Sequence, residues 1–270
     1  MRLRSIFIIF LLLFISAILF ILFRGGKNSK SNAPTVYLIG RDPSWYQSDF
    51  LGKEREVLAF VDELFTEIAR EQEINIRLVR ISSDAIFPSL VNGKVNAVVT
   101  ARELPRYFNQ ERYVQSDLFY ELGPVLIVRR GYPAEELIDL EGKVVGVERG
   151  SPLTYALQND PDVVFVTYSN ILAALERLEE SSIDAVVLPF LPAAIYVNSL
   201  FRNTLEIVSA PLLDEGVRIV APKNTWNTTL IESINKGLTA LHEDGRYQAL
   251  LSRWNLPAPI HFGNDLDITE

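Results

Sequence analysis

A group of charged and turn-forming residues follows the apolar run 144–147: Glu148, Arg149, Gly150, Ser151 and Pro152. Glycine permits a tight backbone turn, serine can cap a helix, and proline suits the first turn of that helix. The free N–H groups at a helix N-terminus also attract an anion such as a carboxylate. The pattern predicts a strand–turn–helix junction. Taken alone, the pattern favours the interpretation that Ser151 only caps its helix over the alternative that Glu148 or Ser151 contacts a ligand.

Several other chemistries are excluded by residue type. The chain has no cysteine, and its two histidines, His242 and His261, have no metal-ligand spacing. A thiolate nucleophile is therefore excluded, the spacing argues against a zinc site, and we expect no cofactor. Both histidines lie near the C-terminus, which also argues against a Ser-His-Asp triad.

Composition and charge indicate a globular protein that does not bind nucleic acid. Of the 270 residues, 48% are hydrophobic and 22% are charged, as is ordinary for a globular chain. Residues 1–30 contain five basic residues and no acidic one, so the remainder has 21 basic and 34 acidic residues and a net charge of −13. Nucleic-acid binding requires clustered Lys and Arg, which such an acidic domain does not favour.

The N-terminal segment is predicted to be a membrane anchor or a signal, residues 1–23. Ser5–Phe23 has 19 residues without a charge, and such a helix nearly spans a hydrocarbon core of about 30 Å. A signal peptide usually has a shorter apolar core followed by a small-x-small cleavage site, and here only Ser31-x-Ala33 offers one. We therefore favour an uncleaved anchor, followed by a polar linker at 24–34.

Strands and helices alternate along the rest of the chain. Apolar runs predict strands at 35–40, 74–81, 95–100, 123–130, 143–148, 163–168, 183–189, 205–209 and 217–222. Spacings of three and four predict helices at 53–72, 84–93, 151–158, 170–180, 191–201 and 227–254. This alternation is typical of parallel sheets covered by helices, in which ligands bind outside the carboxyl ends of the strands.

The two halves of the chain contain similar segments. "FPSLVNGKVNAVV" (87–99) and "LERLEESSIDAVV" (175–187) each read as a helix, a tight turn and a strand that contains Ala-Val-Val. Two similar α/β lobes with their strand ends at a shared crevice are the simplest architecture that this repetition predicts.

The sequence resembles the bacterial extracellular solute-binding proteins of the polar amino-acid type, which serve ABC transporters. The resembling segments are "IFPSLVNGKVNAVV" (86–99), "LEGKVVGVERGS" (140–151), "ALERLEESSIDAVV" (174–187), "PLLDEGVRIVAPKN" (211–224) and "LHEDGRYQALLSRW" (241–254). The resemblance covers about residues 35–255. It implies a two-lobe, type II periplasmic-binding-protein-like α/β clamp joined by two crossovers.

The same resemblance implies domain limits. Lobe 1 would comprise residues 35–126 and 221–255, lobe 2 would comprise 127–220, and 256–270 would form a C-terminal tail.

In the first lobe, the resemblance implies a ligand site after the first and third strands. The family places an aromatic after its first strand, and Trp45 and Tyr46 could take this role here, although a surface turn with a core aromatic explains them equally well. Asp42 stands where the family often has an acid. Thr100 matches the first of the family's small hydroxyl positions.

The next positions depart from the family pattern. The family has a further hydroxyl residue or glycine and then an arginine that grips a ligand carboxylate, in the spacing Thr-x-x-x-x-Arg. Here Glu103 occupies the hydroxyl position and Phe108 stands in place of the arginine. Arg106 or Arg112 could substitute if the loop is shifted, although a solvated charged loop explains both arginines equally well.

In the second lobe, Glu148 and Ser151 lie in the loop that contacts the ligand in the family. Pro189 stands where the family has an aspartate for the ligand's α-amino group. Because proline offers neither a charge nor a donor, ordinary zwitterion recognition is displaced or absent. Glu103 and Glu148 could hold a cation instead, and Arg102, Arg106 and Arg149 an anion.

Together these features predict a non-enzymatic, monomeric solute-binding protein that captures a small polar ligand for an ABC transporter permease. It would be a single-pass protein of the cell membrane with its domain in the periplasm or extracellular space. A sensory or partner-binding module without a transport ligand is the alternative that Pro189 favours. A dehydratase-like enzyme that uses Glu103 or Glu148 as acid or base is a further alternative.

Overall fold

The computed structural model describes residues 36–42, 50–101, 109–134, 136–150 and 163–258. The predicted anchor, the linker, the helix at 151–158 and most of the C-terminal tail lie outside these residues. Within the described ranges, no helix is long and apolar enough to cross a membrane. The sheets described below belong to one compact unit that begins at Val36.

The structure confirms the alternation of strands and helices. The described strands are β1 (Val36–Arg41), β2 (Asn75–Arg80), β3 (Ala97–Thr100), β4 (Tyr113–Gln115), β5 (Tyr120–Glu121), β6 (Pro124–Arg129), β7 (Val144–Glu148), β8 (Val164–Tyr168), β9 (Ala185–Pro189), β10 (Leu205–Ile207) and β11 (Gly216–Pro222). The described α-helices are α1 (Glu54–Glu71), α2 (Ile86–Val91), α3 (Ile171–Glu179), α4 (Phe190–Asn198), α5 (Thr225–Glu243) and α6 (Arg246–Arg253).

Two details of the predicted elements are corrected. The helix predicted at 227–254 is two helices, α5 and α6, because Gly245 between them adopts a left-handed conformation with φ of 79°. The short strands β4 and β5 were not predicted, since three and two residues are too few to show an alternating pattern.

Lobe 1 is built on a sheet with the strand order β2-β1-β3-β11-β4, and β5 also pairs with β11. The first three strands are parallel, whereas β11 runs antiparallel to β3, β4 and β5. The buried residues of α1, which recur every three or four positions, pack on this sheet together with α5 and α6.

Lobe 2 is built on a sheet with the strand order β10-β6-β9-β7-β8. Strands β9, β7 and β8 are parallel, and β6 runs antiparallel to both β9 and β10. Each sheet is therefore mixed, which corrects the expectation of parallel sheets. The reversal arises because β6 and β11 enter their sheets from the other lobe rather than through a helical crossover on the same sheet.

The chain crosses between the sheets twice, at 122–123 and at 208–215, and we call these segments the crossovers. The predicted lobe limits, 126/127 and 220/221, fall inside β6 and β11. The chain therefore passes from one sheet to the other a few residues before each predicted limit. At the crossovers the backbones approach closely: a Cβ on Gly123 would collide with the carbonyl oxygen of Leu213, and one on Gly216 with that of Tyr120.

The apolar core is continuous from lobe 1 to lobe 2 beside the crossovers. Tyr120 packs edge-on against Phe60 of α1 and against Phe190 of α4, with ring centroids 6.0 and 6.3 Å apart. Backbone N–H groups of Leu122 and Gly123 donate to the Glu215 carbonyl oxygen, which joins one crossover to the other.

Candidate ligand-binding site

The edge of the lobe 1 sheet brings Asp42 and Thr100 together. Strands β1 and β3 are parallel neighbours in which Arg41 pairs with Val99, so Asp42 and Thr100 follow at the same level. Both residues are buried, with 8% and 5% of their surface exposed. A carboxylate and a hydroxyl therefore lie at adjacent carboxyl ends of parallel strands, where α/β sheets bind ligands.

The edge of the lobe 2 sheet carries Glu148 and Pro189, which are offset from each other by one residue. Strands β7 and β9 are parallel neighbours in which Val147 pairs with Val187, so Glu148 is level with Leu188 and Pro189 follows it. Glu148 ends β7 and is exposed, while Pro189 ends β9 and is partly buried. Glu148 also pairs with Tyr168 of β8, and the pKa of the Tyr168 hydroxyl is raised by burial and, to a smaller extent, by the Glu148 charge.

The strand registers place both edges at the crossovers. Thr100 pairs with Arg218, two residues after β11 enters its sheet, and Pro189 pairs with Pro124, the first residue of β6. The carboxyl ends of β1 and β3 in one lobe and of β7 and β9 in the other therefore flank the same two crossovers. We call these the lobe 1 edge and the lobe 2 edge.

Pro189 has a structural role at the lobe 2 edge. It precedes the first residue of α4, and its φ of −53° is within the range that proline imposes. The following N–H, of Phe190, donates to the carbonyl oxygens of Gly123 and Leu122 at 3.1 and 3.4 Å. The first backbone donor of α4 is thus bound to a crossover.

Five of the predicted site residues lie outside the described residues: Trp45, Tyr46, Glu103, Arg106 and Ser151. Their contact with a ligand stays a prediction, as does the ligand contact of Asp42, Thr100, Glu148 and Pro189.

Two arginines that the sequence did not single out lie at the lobe 1 edge. Arg218, opposite Thr100, forms a 2.9 Å ion pair with Asp214 and donates to the Asp214 carbonyl oxygen at 2.8 Å. Arg41, next to Asp42, forms a 2.7 Å ion pair with Asp62 of α1. Each arginine belongs to a run already predicted as a strand, or directly follows one, and only the register shows its place at the edge.

A cavity of about 390 Å³ lies beside the crossovers but is not lined by any predicted site residue. Its charged lining residues are Asp117, Glu121, Asp214 and Arg218. No group of three His, Asp or Glu side chains among the described residues is arranged to hold a metal ion.

Two mixed β-sheets, each packed against helices, are joined by two crossovers that polar strand ends flank. This arrangement defines a two-lobe, type II binding-protein fold. Residues 37–257 match the family described as bacterial extracellular solute-binding proteins, family 3, and the chain belongs to that family.

Known relatives agree with this assignment. The ABC transporter arginine-binding protein 1 of Escherichia coli (strain K12) is 24% identical over 212 residues, which cover 76% of this chain and 84% of the relative. The ABC transporter glutamine-binding protein of Bacillus subtilis (strain 168) is 22% identical over 204 residues, 74% of this chain and 73% of the relative.

A solved structure shows the same fold. The L-cystine solute receptor of Neisseria gonorrhoeae in its unliganded open conformation aligns with a TM-score of 0.60 and 16% identity, over 83% of this chain and 93% of the receptor. These three relatives are named for what they bind or receive.

Proposed function

We propose that this chain is the solute-binding protein of an ABC transporter and that it binds an amino acid, or a related compound, that carries a positively charged group. The observation that supports this most directly is a carboxylate on each edge: Asp42 in lobe 1 and Glu148 in lobe 2, at strand ends that flank the same crossovers. A ligand between the lobes would meet both charges, and each would favour a cation over an anion.

The relatives support the general class but not one ligand, since their names specify arginine, glutamine and L-cystine. The charges of the two edges favour a ligand of the arginine kind. Pro189 adds no charge at the lobe 2 edge, so Glu148 is the described residue there that can pair with an ammonium or guanidinium group.

We also propose that the apolar segment Ser5–Phe23 stays attached and holds the domain at the outer face of the membrane. N-terminal analysis of the membrane-extracted protein should then find residues that precede Ser31. A mature soluble form that starts between residues 24 and 36 would reject the anchor.

The ligand can be identified directly from the purified protein. The protein is gently purified and denatured, and the released small molecules are measured by mass spectrometry. Calorimetry then tests the standard amino acids and putrescine. The proposal predicts a stoichiometric cationic metabolite, or binding of arginine, lysine or ornithine that is tighter than binding of glutamine.

A partner-binding module that needs no ligand is the second candidate, and Pro189 is the observation that favours it. Its side chain gives the lobe 2 edge no donor, and the neighbouring N–H is already bound to a crossover. Recovery of no metabolite, together with no heat of binding across the panel, would support this candidate and reject the transport proposal.

A further inference from the structure

A partly buried ion pair joins the end of β1 to the middle of α1. Nη2 of Arg41 lies 2.7 Å from Oδ2 of Asp62, and only 11% of the Arg41 side chain is exposed, against 38% for Asp62. Arg41 is the last residue of β1 that pairs with β2 and β3, and Asp42 of the lobe 1 edge follows it directly.

The pair is incompletely satisfied. Among the described residues, Nε and Nη1 of Arg41 and Oδ1 of Asp62 have no hydrogen-bond partner, although all three atoms are buried. Burial raises the pKa of the Asp62 carboxyl, and the charges of Arg41 and of Arg80 oppose this rise. Arg80 pairs with Arg41 across the β1–β2 ladder, so the charges of both arginines act on the Asp62 carboxylate.

Such a pair is a poor source of stability. Removing charge from water, here chiefly that of Arg41, costs energy that the attraction offsets only when the remaining donors and acceptors are also bound, and in the described part of the chain three buried atoms of the pair have no such partner. Residues that support a functional site often carry such a desolvation cost, which a role in stability alone does not explain.

We infer that Arg41 and Asp62 are positioning residues, which fix the end of β1 on α1 and thereby hold Asp42 at the lobe 1 edge. Their contact is the last one that β1 makes through a side chain before the chain leaves the ladder. The inference rests on the proposed function, because Asp42 needs a fixed position only if it contacts a ligand.

Three variants of the full chain in detergent separate positioning from stability: Arg41→Met, Asp62→Leu and the double variant. Asp62→Leu leaves the buried Arg41 charge without its partner and should unfold at lower urea concentration than wild type, whereas Arg41→Met leaves the more exposed Asp62 carboxylate and should lose less stability. The double variant removes both charges and should unfold near the wild-type midpoint. We expect the double variant nevertheless to bind at least ten-fold more weakly, by calorimetry with the amino acid that wild type binds most tightly.

The matched control is Arg253→Met, which removes an exposed ion pair between α6 and α1 and leaves Glu63 to accept from Trp254 Nε1. It should keep the wild-type affinity. A double Arg41/Asp62 variant that folds and binds as wild type does would overturn the inference.

Hydrogen exchange provides a readout that needs no ligand. In the double Arg41/Asp62 variant, amides at the end of β1 should exchange at least ten-fold faster, while those of β7 should be unchanged. If wild type binds no amino acid, the proposed function fails but faster exchange still supports positioning. Unchanged exchange at the end of β1 would reject positioning, whatever the result of the binding assay.

Discussion

Glu148 is the exposed carboxylate of the lobe 2 edge, and its charge can be removed with almost no change in size. Glu148→Gln should weaken the binding of arginine or another cationic ligand by about 1–3 kcal/mol, the range for loss of a charged hydrogen bond. Calorimetry measures the change.

Glu141→Gln is a matched control, because Glu141 is also exposed but lies before the opposite end of β7. If Glu148→Gln and Ser151→Ala both bind as wild type does, the junction at 148–152 is only a turn and a helix cap, and the ligand contacts lie elsewhere.

His242 gives the fold a dependence on pH. Its ring is partly buried in the last turn of α5, with its centroid 3.8 Å from that of Tyr247, and burial lowers its pKa from 6.5 to about 4. The folded state therefore favours neutral His242. Its contribution to stability is complete above pH 6.5 and is lost as the pH falls toward 4, because the unfolded chain takes up the proton first.

We expect the free energy of unfolding to fall by about 1–2 kcal/mol. This is less than the full pKa shift would give, because the ring is partly exposed to solvent. Urea unfolding at pH 7 and pH 4.5 measures it, with His242→Phe as the variant that keeps an aromatic ring but does not titrate. The carboxylates and His261 are present in both proteins, so the difference between their pH dependences isolates His242. Equal dependences would contradict the assignment.

At the scale of the elements, the close contact between β11 and β5 requires glycine. A Cβ on Gly216 would collide with the Tyr120 carbonyl oxygen and lie 3.1 Å from the Glu121 Cα, and these backbone atoms cannot rotate away. Gly216→Ala should therefore push the crossovers apart and destabilise the protein by about 1–3 kcal/mol in urea unfolding.

Gly146→Ala in β7 is the matched control, because its nearest atom would be a side-chain methyl, the Ile183 Cδ1 at 3.2 Å. A methyl can shift by a few tenths of an ångström, so this variant should lose less stability. A larger loss for Gly146→Ala than for Gly216→Ala would refute the requirement at the crossovers.

At the scale of the whole molecule, two lobes joined by two crossovers can rotate as rigid bodies around a ligand. Small-angle scattering should show a smaller radius of gyration with saturating arginine, or with the amino acid recovered from the protein, than without it. A sugar that does not bind is the control. An unchanged radius despite tight binding would contradict closure of the lobes.

The sequence by itself determined the family and the longer helices and strands, but not the short strands β4 and β5 or the break between α5 and α6. The periodic apolar residues of α1 and the apolar runs of β6, β7 and β9 are local patterns, and local geometry alone makes them helix or strand. The similarity between 87–99 and 175–187 was also local. Both segments form a helix, a turn and a strand, with Gly93 and Ser181 in left-handed turn conformations.

Only the tertiary structure decided the partners. It set the directions of β6 and β11, the pairing of Thr100 with Arg218, and the ion pair of Arg41 with Asp62. The residues that meet in these contacts lie at least 21 positions apart in the sequence. No periodicity within a segment encodes these pairings, because they depend on how the fold brings distant segments of the chain together. The sequence therefore predicted which residues could form a site, and the strand registers decided that Asp42 lies beside Thr100 and that Glu148 and Pro189 end neighbouring strands one residue out of level.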